Sequence, residues 1–325
     1  NMKTKTRKRI WAGVVTLVVV LAVALLGGAW YLTDVALDTS GREVYTTEGR
    51  YDTEKEAYPY IVSWLDSVTA TGALRDTFIT LSNGEKAHGV YVLNPRANGR
   101  SAVVVHGHKV DHRSMINVAY LYNELMGMNV VLPDLHGHGL SDGNDARMGW
   151  KDRLDVLEWA DRMQPVFVPD SVESQTILHG QSMGGATVMS ASGEDLPPYI
   201  KAIVEDCGYT SVNDEFTNEL NKKYHLPAFP LLNLASMVTK MRYGWSFGEA
   251  NPEAQVARSK VPMLFIHGDN DSYVPTWMGP KNYEAKTEGY KELWLAPGSE
   301  HADAYKDHPE EFSQHVIDFL GKVLK

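Results

Sequence analysis

From Ile10 to Thr33 the chain carries no charged residue, whereas from Tyr58 onward short apolar runs alternate with segments whose apolar residues recur every three to four positions. As a helix, Ile10–Leu32 reaches about 35 Å, enough to cross a hydrocarbon core of about 30 Å. The later runs predict strands at Asp76–Leu81, His88–Leu93, Ala102–Val105, Asn129–Leu132, Thr176–Leu178, Ala202–Val204, Met263–Ile266 and Glu292–Leu295. Helical periodicity predicts helices at Pro59–Ser67, Ser114–Leu125, Trp150–Met163, Met183–Ala191, Gly279–Lys286 and Glu310–Lys322. A strand covered on both faces reads as a continuous apolar run, and strands alternating with helices predict a doubly wound, mostly parallel α/β sheet. The first two strands, parted by Ser82-Asn83-Gly84, predict an antiparallel hairpin ahead of it. Between the two regimes, residues 33–57 are polar, with turn signals at Ser40-Gly41 and Glu48-Gly49, and read as a stalk.

Composition adds a location. With 43% apolar residues, 325 residues can bury a large core, and a net charge of −10 argues against a nucleic-acid-binding face. The dense basic cluster, Lys3, Lys5, Arg7, Lys8 and Arg9, lies just before the uncharged run. That arrangement predicts a basic cytoplasmic flank over residues 1–9, a single-pass anchor over 10–32 and a domain over 58–325 outside the cell membrane. Trp30 and Tyr31 suit the membrane interface, while Gly27, Gly28 and Ala29 leave open a secreted protein released by signal cleavage. Met2 reads as the initiator and Asn1 as foreign to the native chain. The lone cysteine, Cys207, cannot form an intramolecular disulfide and reads as a small buried side chain.

In open α/β sheets ligands bind beyond the carboxyl ends of the strands, so the residues after each apolar run carry the chemistry. After Thr176–Leu178 comes Gly180-Gln181-Ser182-Met183-Gly184, a G-x-S-x-G pattern between strand and helix. Ser182 there would stand on a sharp turn at a helix N-terminus, where free amides favour developing negative charge. A nucleophilic serine needs a base, and the base an orienting acid. Met263–Ile266 leads into Asp269-Asn270-Asp271-Ser272-Tyr273-Val274-Pro275, and Glu292–Leu295 into Pro297-Gly298-Ser299-Glu300-His301, giving the order serine, acid, histidine.

These segments resemble the α/β-hydrolase superfamily, in particular its bacterial esterase, lipase-like and acyl-peptidase-like members, over roughly Asp76 to Leu324. The resemblance implies Ser182, Asp271 and His301 as a catalytic triad, with Asp269 and Asp206 as alternative acids. It also implies an oxyanion loop at His106-Gly107-His108, the backbone amides of His108 and Met183 being the donors. Asp134-Leu135-His136-Gly137-His138-Gly139-Leu140-Ser141 is similar to the family's D-x-x-G-x-G-x-S segment and reads as support beside the site. The family commonly carries arginine where this chain has His136. An aromatic insertion over about 209–256, including Tyr209, Tyr224, Phe229, Trp245 and Phe247, falls where the family places a cap.

The implied function is hydrolysis of a small-molecule ester or other acyl substrate through an acyl-enzyme, without a cofactor or metal. A peptidase or amidase of the same fold and a catalytically inactive binding protein remain alternatives. The pairs His106/His108 and His136/His138 invite a zinc reading as well, since His is a common zinc ligand.

Overall fold

The computed structural model describes residues 2–42 and 49–324. All eight expected strands lie in one sheet, in the order β1-β2-β4-β3-β5-β6-β7-β8. They are β1 (Leu74–Thr80), β2 (Lys86–Val92), β3 (Arg100–Val105), β4 (Asn129–Pro133), β5 (Gln175–Gln181), β6 (Ile200–Asp206), β7 (Met263–Gly268) and β8 (Lys291–Ala296). The pairs β1/β2 and β2/β4 are antiparallel, and every pair from β4 to β8 is parallel. This is the α/β-hydrolase sheet, with its leading hairpin at one edge.

Alternation along each strand supplies two cores. Val103, Val105, Leu178 and Phe265 face one side, packed with Trp159 and Met183. Ala102, Val104, Ile177 and Leu264 face the other, packed with Phe312 and Phe319. Burial on both faces is why these strands carry unbroken apolar runs. The helix expected over Ser114–Leu125 is instead three short pieces, a 3₁₀ turn, an α-helix at Ile116–Tyr120 and a π turn at Leu121–Leu125. The wide turn holds Asn123, whose buried side chain accepts from Trp64 Nε1 at 3.0 Å and donates to the Met128 carbonyl at 2.9 Å.

The N-terminal segment differs from expectation. Helix α1 (Met2–Leu37) runs beyond the uncharged stretch, through residues read as stalk. Ala29, Thr33 and Leu37, each four apart and so on one helix face, are buried against the domain. Their partner is a cap helix, Leu231–Tyr243, whose Ala235 carbonyl receives the Thr33 hydroxyl at 3.4 Å. Beyond the helix, Thr39 N donates to Asn144 O at 2.9 Å, and the Arg42 guanidinium donates to the carbonyls of Gly139, Ser141 and Gly143. Residues 33–42 are therefore docked rather than loose, because apolar side chains recur on one face despite the charges between them. Asp52–Ala57 is helical, and residues 43–48 of the expected stalk lie outside the described residues.

Candidate active site

β5 ends at Gln181, and α2 (Met183–Ala191) begins two residues later, so Ser182 sits on a strained turn at φ 57°, ψ −118°. Small neighbours make that turn possible. A Cβ on Gly180 would lie 2.0 Å from the Gly184 carbonyl oxygen, and one on Gly184 would lie 2.1 Å from the Val105 carbonyl oxygen. The turn is pinned by Ser182 N donating to Asp206 O at 2.8 Å.

The structure brings the three expected residues together. His301 Nε2 is 2.8 Å from Ser182 Oγ, and His301 Nδ1 is 2.8 Å from Asp271 Oδ2. Asp271 Oδ1 accepts from the backbone amides of Tyr273 at 2.9 Å and Val274 at 3.0 Å. Burial alone pushes the Asp271 carboxyl up, but hydrogen bonds with His267 and His301 outweigh it and hold the group below the usual carboxylate range. The two alternative acids lie elsewhere. Asp206 Oδ2 accepts from Gln181 Nε2 at 2.9 Å, and burial pushes its pKa up to about 6. Asp269 is exposed, its carboxylate accepting from Gly298 N.

His108 and Met183 border one cavity with Ser182. Met183 opens a helix, so its N–H is among those with no partner inside the helix. The close approach of the preceding loop is set by Gly107, where a Cβ would lie 3.4 Å from Ser182 Cβ.

The H-x-H pairs do not converge on a shared vacancy. His106 Nε2 accepts from Leu135 N at 3.0 Å and His138 Nε2 from Lys109 N at 3.1 Å, while their Nδ1 atoms bond the Gly107 and His136 carbonyls. His136 takes the arginine's place as a salt-bridging residue, set between Glu85 at 2.9 Å and Asp145 at 3.1 Å. Burial lowers its proton affinity, and the two carboxylates more than restore it. Among the described residues, two groups have the spacing for a metal, His88/His112/Asp134 and Cys207/Asp271/His301. In the first, both Asp134 oxygens already accept from the histidines, at 2.7 and 2.8 Å. The second would take a metal only by breaking the His301–Asp271 hydrogen bond. Cys207 is buried, and burial pushes its thiol well above the usual range.

A cap borders the site. It comprises α3 (Val212–Tyr224), capped by Ser211 Oγ accepting from Asp214 N, and α4 (Leu231–Tyr243). Beneath it lies a cavity of about 260 Å³ whose walls include Met148, Tyr209, Phe216 and Phe247 as well as Ser182. Two features of this cavity went unread in the sequence. One is α1, which contributes Leu32, Val35 and Ala36. The other is Glu215, a carboxyl on the buried stripe of α3 between Val212 and Leu220.

Glu215 is only 3% exposed, and its Oε2 has no partner among the described residues. Burial, reinforced by the nearby Glu219 and Asp271 carboxylates, pushes its pKa up to about 9. The neutral form therefore persists in the fold while the unfolded chain ionises. Its contribution to stability is fully present below the unfolded value and is lost as pH rises through the folded one. Glu215→Gln, which stays neutral throughout, is expected to leave stability unchanged near pH 4 and to raise it by about 2–3 kcal/mol at pH 7. Urea midpoints at the two pH values measure this, and an equal gain at both would contradict a buried neutral carboxyl.

The sequence model of the prolyl oligopeptidase family matches residues 114–325. The uncharacterized protein YqkD of Bacillus subtilis is 26% identical over 233 residues, which cover 72% of this chain and 75% of YqkD. Among solved structures, the esterase Pf2001 of Pyrococcus furiosus superposes with a TM-score of 0.64 at 20% identity, covering 87% of this chain and 99% of that one. Est1E of Butyrivibrio proteoclasticus does so with a TM-score of 0.57 at 19% identity, covering 76% and 98%. These structural likenesses are likenesses of fold.

Proposed function

We infer that this chain, which belongs to the prolyl oligopeptidase family of the α/β-hydrolase superfamily, is a membrane-anchored serine hydrolase that cleaves carboxylic esters with Ser182, His301 and Asp271. The observation that carries this reading is the unbroken hydrogen-bond chain from Ser182 Oγ through both ring nitrogens of His301 to Asp271. His301 Nε2 takes the Ser182 proton as Oγ attacks the acyl carbon, and the imidazolium is stabilised by the Asp271 anion. The backbone amides of His108 and Met183 hold the oxyanion, each such donor being worth about 3–4 kcal/mol in the transition state. The imidazolium then protonates the leaving alcohol, and water, activated by the same ring, releases the acid.

An ester is favoured because the cavity is small, mostly apolar and roofed by the cap, and because the similar folds include enzymes named esterases. The family's name supports a second reading, cleavage of an amide or peptide bond. Paired ester and amide substrates with the same acyl group separate the two. Anchoring is supported by the helix Thr6–Leu37, which is long and apolar enough to cross a membrane. Its basic flank would lie in the cytoplasm and the catalytic domain outside.

The test is covalent labelling. A fluorophosphonate probe is expected to add once per chain, on the peptide that carries Ser182, as read by intact mass and fragmentation. Absence of an adduct would favour the inactive binding protein, and an adduct elsewhere would displace Ser182 as nucleophile.

A further inference from the structure

We propose that the last turns of α1 form one wall of the acyl pocket, and that this pocket receives a single acyl chain from an ester held in the bilayer. The proposal rests on the membrane-anchored serine hydrolase reading and adds to it the substrate class and its route. Leu32, Val35 and Ala36 line the same cavity as Ser182. They belong to the helix whose earlier residues, from Ile10 to Leu26, present large apolar side chains outward. One element thus carries apolar surface from the span to the nucleophile. Its end is tied to the loop that supplies His108. Lys109 Nζ donates to Val35 O at 2.8 Å, which satisfies a carbonyl of the last helical turn.

The cap beside α1 is shaped for the same surface. Phe229, Met237 and Met241 are 76%, 61% and 76% exposed, on or just before the cap helix that packs on α1. Large apolar side chains in that position suit the boundary between headgroups and acyl chains. Between α1 and this face, Arg242 pairs with Asp34 and lies 4.6 Å over the Trp30 ring, an interfacial arrangement of cation and aromatic. The polar head has partners too, since Lys109, Glu219 and Lys223 border the cavity. Its volume of about 260 Å³ lies just below the common range for ligand sites, roughly 300–1,000 Å³, and suits one chain rather than two.

The experiment uses the full chain in phosphatidylglycerol vesicles and compares kcat/KM for p-nitrophenyl octanoate with that for p-nitrophenyl acetate, counted per fluorophosphonate-reactive site. Ala36→Phe, which fills the wall, is expected to lower the octanoate-to-acetate ratio at least tenfold, and Val35→Ala, which enlarges it, to raise the ratio. Val23→Phe, on the outward part of α1, should leave the ratio within twofold. An unchanged ratio in both wall variants, on protein that still reacts with the probe, overturns this proposal alone. A wild type that takes no probe overturns the hydrolase reading and this one with it. For the source, mono-oleoyl glycerol mixed into the same vesicles is expected to be cleaved at a rate that follows its mole fraction in the bilayer. Cleavage confined to esters dissolved in water overturns the bilayer route.

Discussion

Ser182→Ala is expected to lower kcat/KM for an activated ester by about 10⁶ and to abolish the fluorophosphonate adduct. What remains should be the rate that an oxyanion site and bound substrate give without a nucleophile, still roughly 10³–10⁴ above water. Stability should hardly change, since Ser182 is pinned through its backbone N–H to Asp206 O and loses only the hydrogen bond to His301. A second substitution separates chemistry from folding. Ser182 occupies φ 57°, a conformation that costs a side-chain-bearing residue on the order of 1–3 kcal/mol. Ser182→Gly should therefore be as inactive as Ser182→Ala yet more stable than the wild type, as read by denaturant midpoint. Equal loss of stability in both variants would mean that the hydroxyl serves the fold, and residual hydrolysis near the wild-type rate would move the nucleophile elsewhere.

The strands were legible because burial on both faces leaves a run such as Ala102–Val105 with no polar position to confuse the period. The candidate triad was legible for a related reason. In a parallel sheet all chemistry at one edge must follow strand ends, so Ser182, Asp271 and His301 stand at predictable offsets from β5, β7 and β8. Side-chain pairing between distant segments was not legible. Thr33–Leu37 carries Asp34 and looks like the start of a polar stalk, yet Thr33 and Asp34 both find partners on a cap helix about two hundred residues later, the Ala235 carbonyl and Arg242, and Leu37 is buried. Only the fold supplies that partner. In the H-x-H pairs the rings of His106 and His138 bond nearby backbone, contacts that the sequence does not announce.

Glu215 and α1 share a further lesson about the pocket. Both line the cavity beside Ser182 and announce themselves in sequence only as exceptions, a carboxyl on an apolar stripe and an apolar N-terminal helix that runs on into the domain. On the proposed reading Ser182, His301 and Asp271 set what kind of bond is attacked. On that reading the cavity walls select which molecule reaches it, and they come from segments far from Ser182 in sequence, Leu32 at one end and Val274 at the other.

The second large effect is expected at the acid. Asp271→Asn should lower kcat by about 10⁴, whereas Asp206→Asn should cost less than about tenfold. The difference follows from the His301 tautomer. For Nε2 to accept the Ser182 proton, Nδ1 must carry a hydrogen and donate it to an acceptor, which the Asp271 carboxylate provides at 2.8 Å. An asparagine can turn its amide N–H₂ toward Nδ1, which favours the tautomer protonated at Nε2, and that ring cannot act as the base. Asp206 has no such role: its carboxyl accepts from Gln181, and burial shifts it toward the neutral form. The same pair of variants differs in pH dependence of stability. Asp271 has its folded pKa depressed, so the stability it contributes is present above the ordinary carboxylate value of 3.8 and is lost as pH falls through the lower folded one. The stability gap between wild type and Asp271→Asn should accordingly be full at pH 7 and narrow below about pH 3.8. Asp206 is shifted the other way, so Asp206→Asn should gain stability relative to the wild type as pH rises from about 4 to about 6. Steady-state rates at pH 7 with urea midpoints across this range decide the assignment. If the 10⁴-fold loss follows Asp206 instead, the orienting acid belongs to β6, and the His301–Asp271 hydrogen bond is structural.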